Sequence, residues 1–485
     1  MRNTAIQFIL LFSLFVHKSS WNPNPNQYPP VLAQIEGYIQ QQVSRHKIPG
    51  LAVAVIHGDD NVYQQGFGST GNGQKVTPDT PFFIRSLSKS ITALAVMQLV
   101  DKGKLDLDLP AQSYLPWFHS ADPLSSANIT VRHLLNQTSG FTRSDYPKTL
   151  LAPDASIEQA VRSLTSVRPS AQPGRQYAYF NPNYTVLGVL IETVSGLSYQ
   201  QYIEQNIFAP LEMSHSFTSE KEGYQKGLAK GFNSLFGFPI AREQPFLEYD
   251  IPAGFIISSA KDMANLLKVQ MNSGHFGHLS VLSPESVITM QSPPQDLESA
   301  YAMGWEIGLL EGEPVISHSG SLETFYSRAV MLPERQFGFV VLINQNGLLN
   351  MAVYESITDN IARLLIGLTP QSVLPMRTIQ GLMALIVLTD LARHIFSIMR
   401  HSRWSQNIKT ENLSKIKKRV RINLLASAGI IVLLPGIFIL LLGLDAARVL
   451  FLYFLPEVSI WLLCGSALSI LDQSLKLKTL KRIIS

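Results

Sequence analysis

A serine followed three residues later by a lysine, Ser86-Leu87-Ser88-Lys89, opens an apolar stretch directly after Pro81-Phe82-Phe83-Ile84. A serine hydroxyl needs a nearby base to become a nucleophile, and at i, i+3 on a helix the hydroxyl and the amine share one face. Desolvation there lowers a lysine pKa, which suits Lys89 to accept the serine proton. The same spacing recurs at Ser44–Lys47, Ser258–Lys261 and Ser414–Lys417. The first of these lies in a polar helix and the last in a basic loop, where solvated charge is the simpler explanation. A second segment is Tyr179-Phe180-Asn181. A tyrosine held against two cations loses its proton near neutral pH, making Tyr179 a base or proton shuttle. The competing reading is an aromatic loop packed on the core, since Tyr177, Phe180 and Tyr184 cluster with it. Asn181 offers an amide to bind a substrate carbonyl or to orient Lys89. A third segment, His318-Ser319-Gly320, is expected at the end of a strand. Glycine there lets a substrate lie close to the strand edge, and the next backbone N–H, from Ser321, completes an oxyanion hole with that of Ser86.

Competing chemistries find little support. There is no G-x-S-x-G, so an α/β-hydrolase elbow is not indicated. His275 and His278 lie in Gly-rich sequence without a third ligand nearby, a poor zinc site. Cys464 is the only cysteine, which excludes internal disulfides, cysteine-based zinc sites and iron–sulfur clusters. No cofactor is expected.

The elements that must hold these segments are legible from periodicity. Leu51–Ile56 and Val62–Gly68 read as strands around the turn-forming Gly58-Asp59-Asp60. Apolar residues recur at helical spacing from Ser86 to Val100, with Gly103 as the stop. A long helical stretch with Pro/Gly loops runs to about residue 290. Beyond it, Trp305–Leu310, Val315–His318, Tyr326–Leu332 and Phe337–Ile343 read as successive strands, and Met351–Leu365 as a closing amphipathic helix. Strands at both ends and helices between them imply an α/β fold: an antiparallel sheet flanked by helices, with a helical insertion.

The chain's ends differ from this body. Of 485 residues, 46 % are hydrophobic and only 15 % charged, well below the roughly 25 % charged of an ordinary soluble protein. Residues 376–485 hold 15 Lys/Arg against 5 Asp/Glu, whereas the rest carries a net negative charge. Positive charge sitting among apolar runs suits lipid and not nucleic acid. Residues 1–20 read as a signal sequence or anchor: Arg2, then an apolar run over 5–16 too short to span a bilayer. Residues 21–32 form a Pro/Asn linker, 33–367 the body and 368–378 a second linker. Three apolar runs, 379–399, 422–444 and 449–471, are each long enough to cross a membrane, and 472–485 form a tail. The loop Arg400–Arg421 carries eight basic residues against Glu411, so the positive-inside rule puts it in the cytoplasm and the body outside. The expectation is a multi-pass protein of the cell membrane with an extracytoplasmic catalytic domain. Asp390 and Arg393, at i, i+3 in the first span, read either as a self-paired couple or as a contact with the outer domain or a substrate path.

Taken together, and in this order, the three segments resemble those of the serine β-lactamase and penicillin-binding protein superfamily. The resemblance is nearest to the class C β-lactamase and D-alanyl-D-alanine carboxypeptidase B branch and covers about residues 33–365. It extends to Lys102-Gly103-Lys104-Leu105-Asp106-Leu107, Leu134-Leu135-Asn136-Gln137-Thr138-Ser139-Gly140, Pro252-Ala253-Gly254, Ser259-Ala260-Lys261-Asp262 and Tyr301-Ala302-Met303-Gly304-Trp305. The resemblance implies Ser86 as acylated nucleophile, Lys89 and Tyr179 as proton-transfer partners, Asn181 as substrate binder and His318–Gly320 as the third wall. Arg85 stands where glycine is usual, and Gln137 where the branch often has histidine. Classical β-lactamases of this branch usually carry lysine where His318 stands, and an unperturbed histidine is mostly neutral near pH 7. That favours a peptidase, amidase or esterase. An exported domain followed by three membrane helices resembles the prodrug-activating peptidases of nonribosomal-peptide pathways, including the colibactin-maturing type. The expectation is therefore a membrane-anchored serine peptidase or amidase acting on a peptide-like small molecule. Alternatives are a cell-wall D-Ala-D-Ala carboxypeptidase, an esterase, a class C-type β-lactamase, or a sensor that binds cell-wall fragments or β-lactams.

Overall fold

The computed structural model describes residues 29–147, 151–408, 412–442 and 456–484. The leader at 1–20, most of the linker after it, the turn joining the second and third spans and the start of the third span lie outside the described residues.

The body is built on a seven-stranded antiparallel sheet. Its strands are β1 (Gly50–His57), β2 (Asp60–Gly68), β3 (Tyr301–Ala302), β4 (Trp305–Leu310), β5 (Glu313–Leu322), β6 (Phe325–Leu332) and β7 (Phe337–Ile343), in the spatial order β2-β1-β7-β6-β5-β4-β3. The two N-terminal strands close onto the C-terminal ones through the β1–β7 pair, Leu51 opposite Ile343 to His57 opposite Phe337. Side chains alternate across a strand, and β1 uses both faces. Ala52, Ala54 and Ile56 enter the larger core on the helical side. Leu51, Val53 and Val55 enter a second core beneath α1 (Pro29–His46) and the C-terminal helix of the body, Leu348–Leu365. A central strand of small and β-branched residues suits a sheet covered on both sides.

Of the segment boundaries that differ from the sequence expectation, two bear on the site. The helix expected from Ser86 begins at Ser88 as α2 (Ser88–Asp101), preceded by a 3₁₀ turn over Arg85–Leu87. The expected strand Val315–His318 extends to Leu322, because pairing with β6 continues to Leu322 opposite Phe325. His318-Ser319-Gly320 therefore lies inside a ten-residue strand and not at its end.

Among the described residues three long helices follow the body: Met376–Met399, Leu413–Leu442 and Pro456–Ile484. Each is long and apolar enough to cross a membrane. Their bounds overrun the apolar runs. Lysine and arginine are good helix formers, so the basic residues from Lys415 to Arg421 form the first turns of the second helix. Residues 472–484 likewise continue the third helix. Asp390 pairs with Arg393 at 2.8 Å and accepts a hydrogen bond from Trp461 Nε1 at 3.1 Å, which ties the first helix to the third. Contact with the body is made elsewhere: Gln380 Nε2 donates to Ser234 Oγ at 3.0 Å, and the Phe236 N–H donates to Glu457 at 2.9 Å.

Candidate active site

The turn that presents Ser86 is locked from three sides. The Ile84 N–H donates to the Ile256 carbonyl at 3.0 Å, and the Ile84 carbonyl accepts from Ser327 Oγ at 2.5 Å. Ser88 Oγ accepts from the Ile256 N–H at 3.1 Å. Behind the turn, α2 is buried almost all round, from Ser88 to Leu99, as expected of a helix without a polar face. Gly320 belongs to this lock. A Cβ there would stand 2.2 Å from the Ile84 carbonyl and 3.0 Å from Arg85 Cβ, so glycine lets β5 pass against the nucleophile turn. Gly304 does the same beside Lys89, whose carbonyl would lie 3.0 Å from an added Cβ.

Ser86 is half-buried and Lys89 fully buried. The Lys89 amine has three neighbours: the Ala253 carbonyl at 2.5 Å, Asn181 Oδ1 at 2.9 Å and Ser86 Oγ at 3.4 Å. The first two can only accept, so a neutral amine donates both its hydrogens to them and turns its lone pair to the Ser86 hydroxyl. Burial pushes the Lys89 pKa down to about 7, partly offset by Asp250. The same burial raises the Asp250 carboxyl above its ordinary range, with Lys89 and Arg85 opposing the shift.

Tyr179 meets the two cations expected of it: the Lys89 amine lies 4.8 Å, and the Arg143 guanidinium 5.7 Å, from its ring centroid. The surroundings nevertheless do not favour a tyrosinate. Both cations are placed against the ring, and burial raises the phenol's pKa far above the ordinary value, with a hydrogen bond to Ser86 only partly opposing it. Burial thus favours the protonated phenol, which is hydrogen-bonded to the nucleophile.

His318 is also placed differently than expected. It is buried, its Nδ1 2.8 Å from the Ser319 carbonyl and its Nε2 3.4 Å from the Tyr301 hydroxyl. Desolvation and the nearby Lys89 hold its pKa down at about 3, so this wall carries no positive charge at neutral pH. Alternation along β5 sends the Ser319 and Ser321 side chains to the opposite face, where Ser319 Oγ donates to Glu355 at 3.3 Å and Ser321 Oγ accepts from Asn346 Nδ2 at 2.7 Å. Those two serines can serve Ser86 only through their backbone.

Several contributors carried no role in the sequence reading. Gln137 Oε1 accepts from the Phe180 N–H at 3.0 Å and from Asn183 Nδ2 at 2.6 Å, which fixes the Tyr179–Asn181 loop. Tyr301 packs edge-on against Tyr179 and His318 at 5.9 and 5.7 Å. Asp250 had no local motif to reveal it. Arg85 has φ +54°, the region that makes glycine usual at this position and costs another residue roughly 1–2 kcal/mol. Of the other Ser/Lys spacings, Ser258–Lys261 is dispersed: Ser258 Oγ bonds Ser216 at 2.8 Å and Lys261 bonds Asp79 at 3.0 Å.

A serine, a buried lysine whose pKa is pushed down to about 7 and a buried tyrosine meet here between a sheet and an all-buried helix, and the family comparison agrees. The family described as Beta-lactamase matches residues 35–361. The chain belongs to that family. Among curated relatives, Protein flp of Staphylococcus aureus (strain N315) is 27 % identical over 322 residues, 64 % of this chain and 63 % of that protein. Unguisins hydrolase ungD' of Aspergillus campestris is 28 % identical over 326 residues, 64 % of this chain and 60 % of its own length. The match thus spans less than two thirds of either relative. Among solved structures, the octameric penicillin-binding protein homologue from Pyrococcus abyssi superposes with TM-score 0.59 at 29 % identity, over 71 % of this chain and 79 % of that one. FmtA from Staphylococcus aureus gives 0.57 at 22 % identity, over 71 % and 93 %, a likeness of fold. The class is that of β-lactamase-like serine hydrolases.

Proposed function

We propose that this protein is a serine peptidase or amidase that works through an acyl-enzyme on Ser86. The observation that carries this reading is the buried Lys89 amine, held at 2.9 Å from Asn181 Oδ1 and 2.5 Å from the Ala253 carbonyl and within 3.4 Å of Ser86 Oγ. Lys89 takes the Ser86 proton as Oγ attacks the substrate carbonyl, and the backbone N–H groups of Ser86 and Ser321 receive the developing oxyanion. On collapse, the phenol of Tyr179 protonates the departing amine and is restored by the proton that Lys89 took from Ser86. Water then attacks the ester by the reverse path. Asn181 keeps Lys89 aimed at the nucleophile.

The uncharged His318 wall supports an amide or peptide substrate over the dedicated β-lactamase reading, because it offers no cation for a substrate carboxylate. A narrower reading is a D-amino-acid-specific peptidase that activates a nonribosomal-peptide prodrug, supported by the body-plus-three-helices layout. A relative named as a hydrolase of unguisins supports turnover over a single, sensor-like acylation. Purified protein assayed against D-Ala-D-Ala peptides, N-acyl-D-amino-acid amides, esters and a chromogenic cephalosporin tests this. Stoichiometric acylation without release would favour the sensor instead.

The three helices are proposed to cross the cell membrane, leaving the body outside. Their starts at Gln380 and Glu457 both touch the body, while the basic start of the second helix belongs to the other end, as the positive-inside rule requires. In a Cys464→Ser background, an impermeant thiol reagent on intact cells should modify a cysteine at position 144 and not one at 405. The reverse pattern would put the site in the cytoplasm.

A further inference from the structure

A cavity of about 350 Å³ opens beside Ser86 and Asn181 and is lined at its other parts by Arg85, Gln244, Asp250 and Glu323. Its polar groups hold unused hydrogen-bonding capacity. Arg85 is 1 % exposed, yet among the described residues its Nε, Nη1 and Nη2 atoms all lack a partner. Three rings, Phe83, Phe255 and Phe325, stand 4.6, 5.1 and 5.5 Å from the guanidinium carbon. Such stacking covers the faces of the cation and leaves its N–H edges for a planar acceptor. Gln244 is oriented by Thr324, whose hydroxyl donates to Oε1 at 3.0 Å, while its buried Nε2 has no acceptor. One acceptor is likewise unused, Glu323 Oε2. Burial lowers the Arg85 pKa only to about 10, so it is cationic at neutral pH. A buried cation without a hydrogen-bond acceptor is expensive in a folded protein, and this one lines the same cavity as the nucleophile.

We propose that Arg85 and Gln244 form a subsite for a planar carboxyl-type oxygen group, a carboxylate or a primary carboxamide, on the acyl part of the substrate. The acyl part is the one that remains tied to Ser86 after the leaving group has gone, so the inference rests on the acyl-enzyme reading. The residue that departs from the usual glycine thereby sets specificity. Glu323 separates the two forms of the ligand. Opposite a carboxamide it accepts an N–H as the carboxylate. Opposite a carboxylate it must carry a proton itself, which its raised pKa favours at lower pH.

Three matched p-nitrophenyl esters on the full-length protein test this, with glutaryl, glutaramoyl and 5-methylhexanoyl acyl groups. At least one oxygen-bearing ester should exceed the apolar one by about tenfold or more in kcat/KM, the scale of a hydrogen bond to a charged group. That ratio should collapse towards one in Arg85→Met and shrink in Gln244→Leu, with fluorophosphonate labelling of Ser86 reporting an intact site. If the glutaryl ester leads, its advantage should decline as pH rises; if the glutaramoyl ester leads, the ratio should be flat. Turnover of all three esters by the wild type with equal rates, or a lead for the apolar ester, would overturn the subsite and leave the Ser86 mechanism standing. No turnover and no Ser86 labelling would overturn both. Should Arg85→Met not fold, the wild-type ratio and Gln244→Leu still decide.

Discussion

Among the described residues two serine–lysine pairs are in contact, and the closer one is not the one proposed to react. In the helical bundle, Lys476 Nζ lies 2.7 Å from Ser397 Oγ, but it also lies 2.7 Å from the carboxylate of Asp472, to which Ser397 donates at 3.0 Å. In the body, Lys89 lies 3.4 Å from Ser86 and has only neutral oxygens against it. A charged partner satisfies the ammonium and turns the pair into a strut between helices. Two carbonyls without a carboxylate, in a dry setting, instead favour the free amine. Distance between nucleophile and base is therefore a poorer guide to chemistry than the charge of the third group.

The most severe break in this contrast is Ser86→Ala. It should abolish both fluorophosphonate labelling and turnover, while Ser397→Ala should keep both within about twofold; a surviving label in Ser86→Ala would remove the nucleophile assignment. Next in size is Asp472→Asn, which strands the Lys476 charge. It should lower stability by about 3 kcal/mol, the low end for a broken buried pair because a lysine near a helix end can snorkel. Thermal unfolding in detergent measures this, with kcat on soluble substrates nearly unchanged. Lys89→Met and Tyr179→Phe should each cut kcat/KM by at least about 10²-fold, the lower range for general acid–base groups; near-normal activity in Tyr179→Phe would restore the aromatic-packing reading. The smallest effect is a pH shift. With the free Lys89 amine as the proposed base and its pKa pushed down to about 7, kcat/KM on a neutral substrate should rise through about pH 7 and level above it. Asp250 raises the Lys89 pKa, so Asp250→Asn should move that limb to lower pH; a move upward would contradict the electrostatic account.

Much of this was legible along the chain, and the exceptions share a cause. The strands Trp305–Leu310 and Phe337–Ile343 lie where alternation placed them, because a sheet between two cores demands apolar residues in short runs. The end of β5 was not legible, since His318-Ser319-Gly320-Ser321 is polar and reads as a terminus. Its pairing with β6 is a long-range fact. Tyr179 was legible as a residue near cations but not in its protonation state. That depends on where the cations sit relative to the oxygen and on how much water the fold removes.

By itself, the sequence determined which residue types recur at catalytic spacing, which runs are long enough to span a bilayer, and that a single cysteine cannot form a disulfide within the chain. These are local properties, set by periodicity and composition. Tertiary structure alone decided that Lys89 meets Asn181 and the Ala253 carbonyl, 92 and 164 residues away, and not a carboxylate. It also decided that Arg85 is buried among three rings with its donors open. The reactivity of a lysine and the availability of an arginine depend on desolvation and on the third neighbour. Both are created only when distant segments pack together.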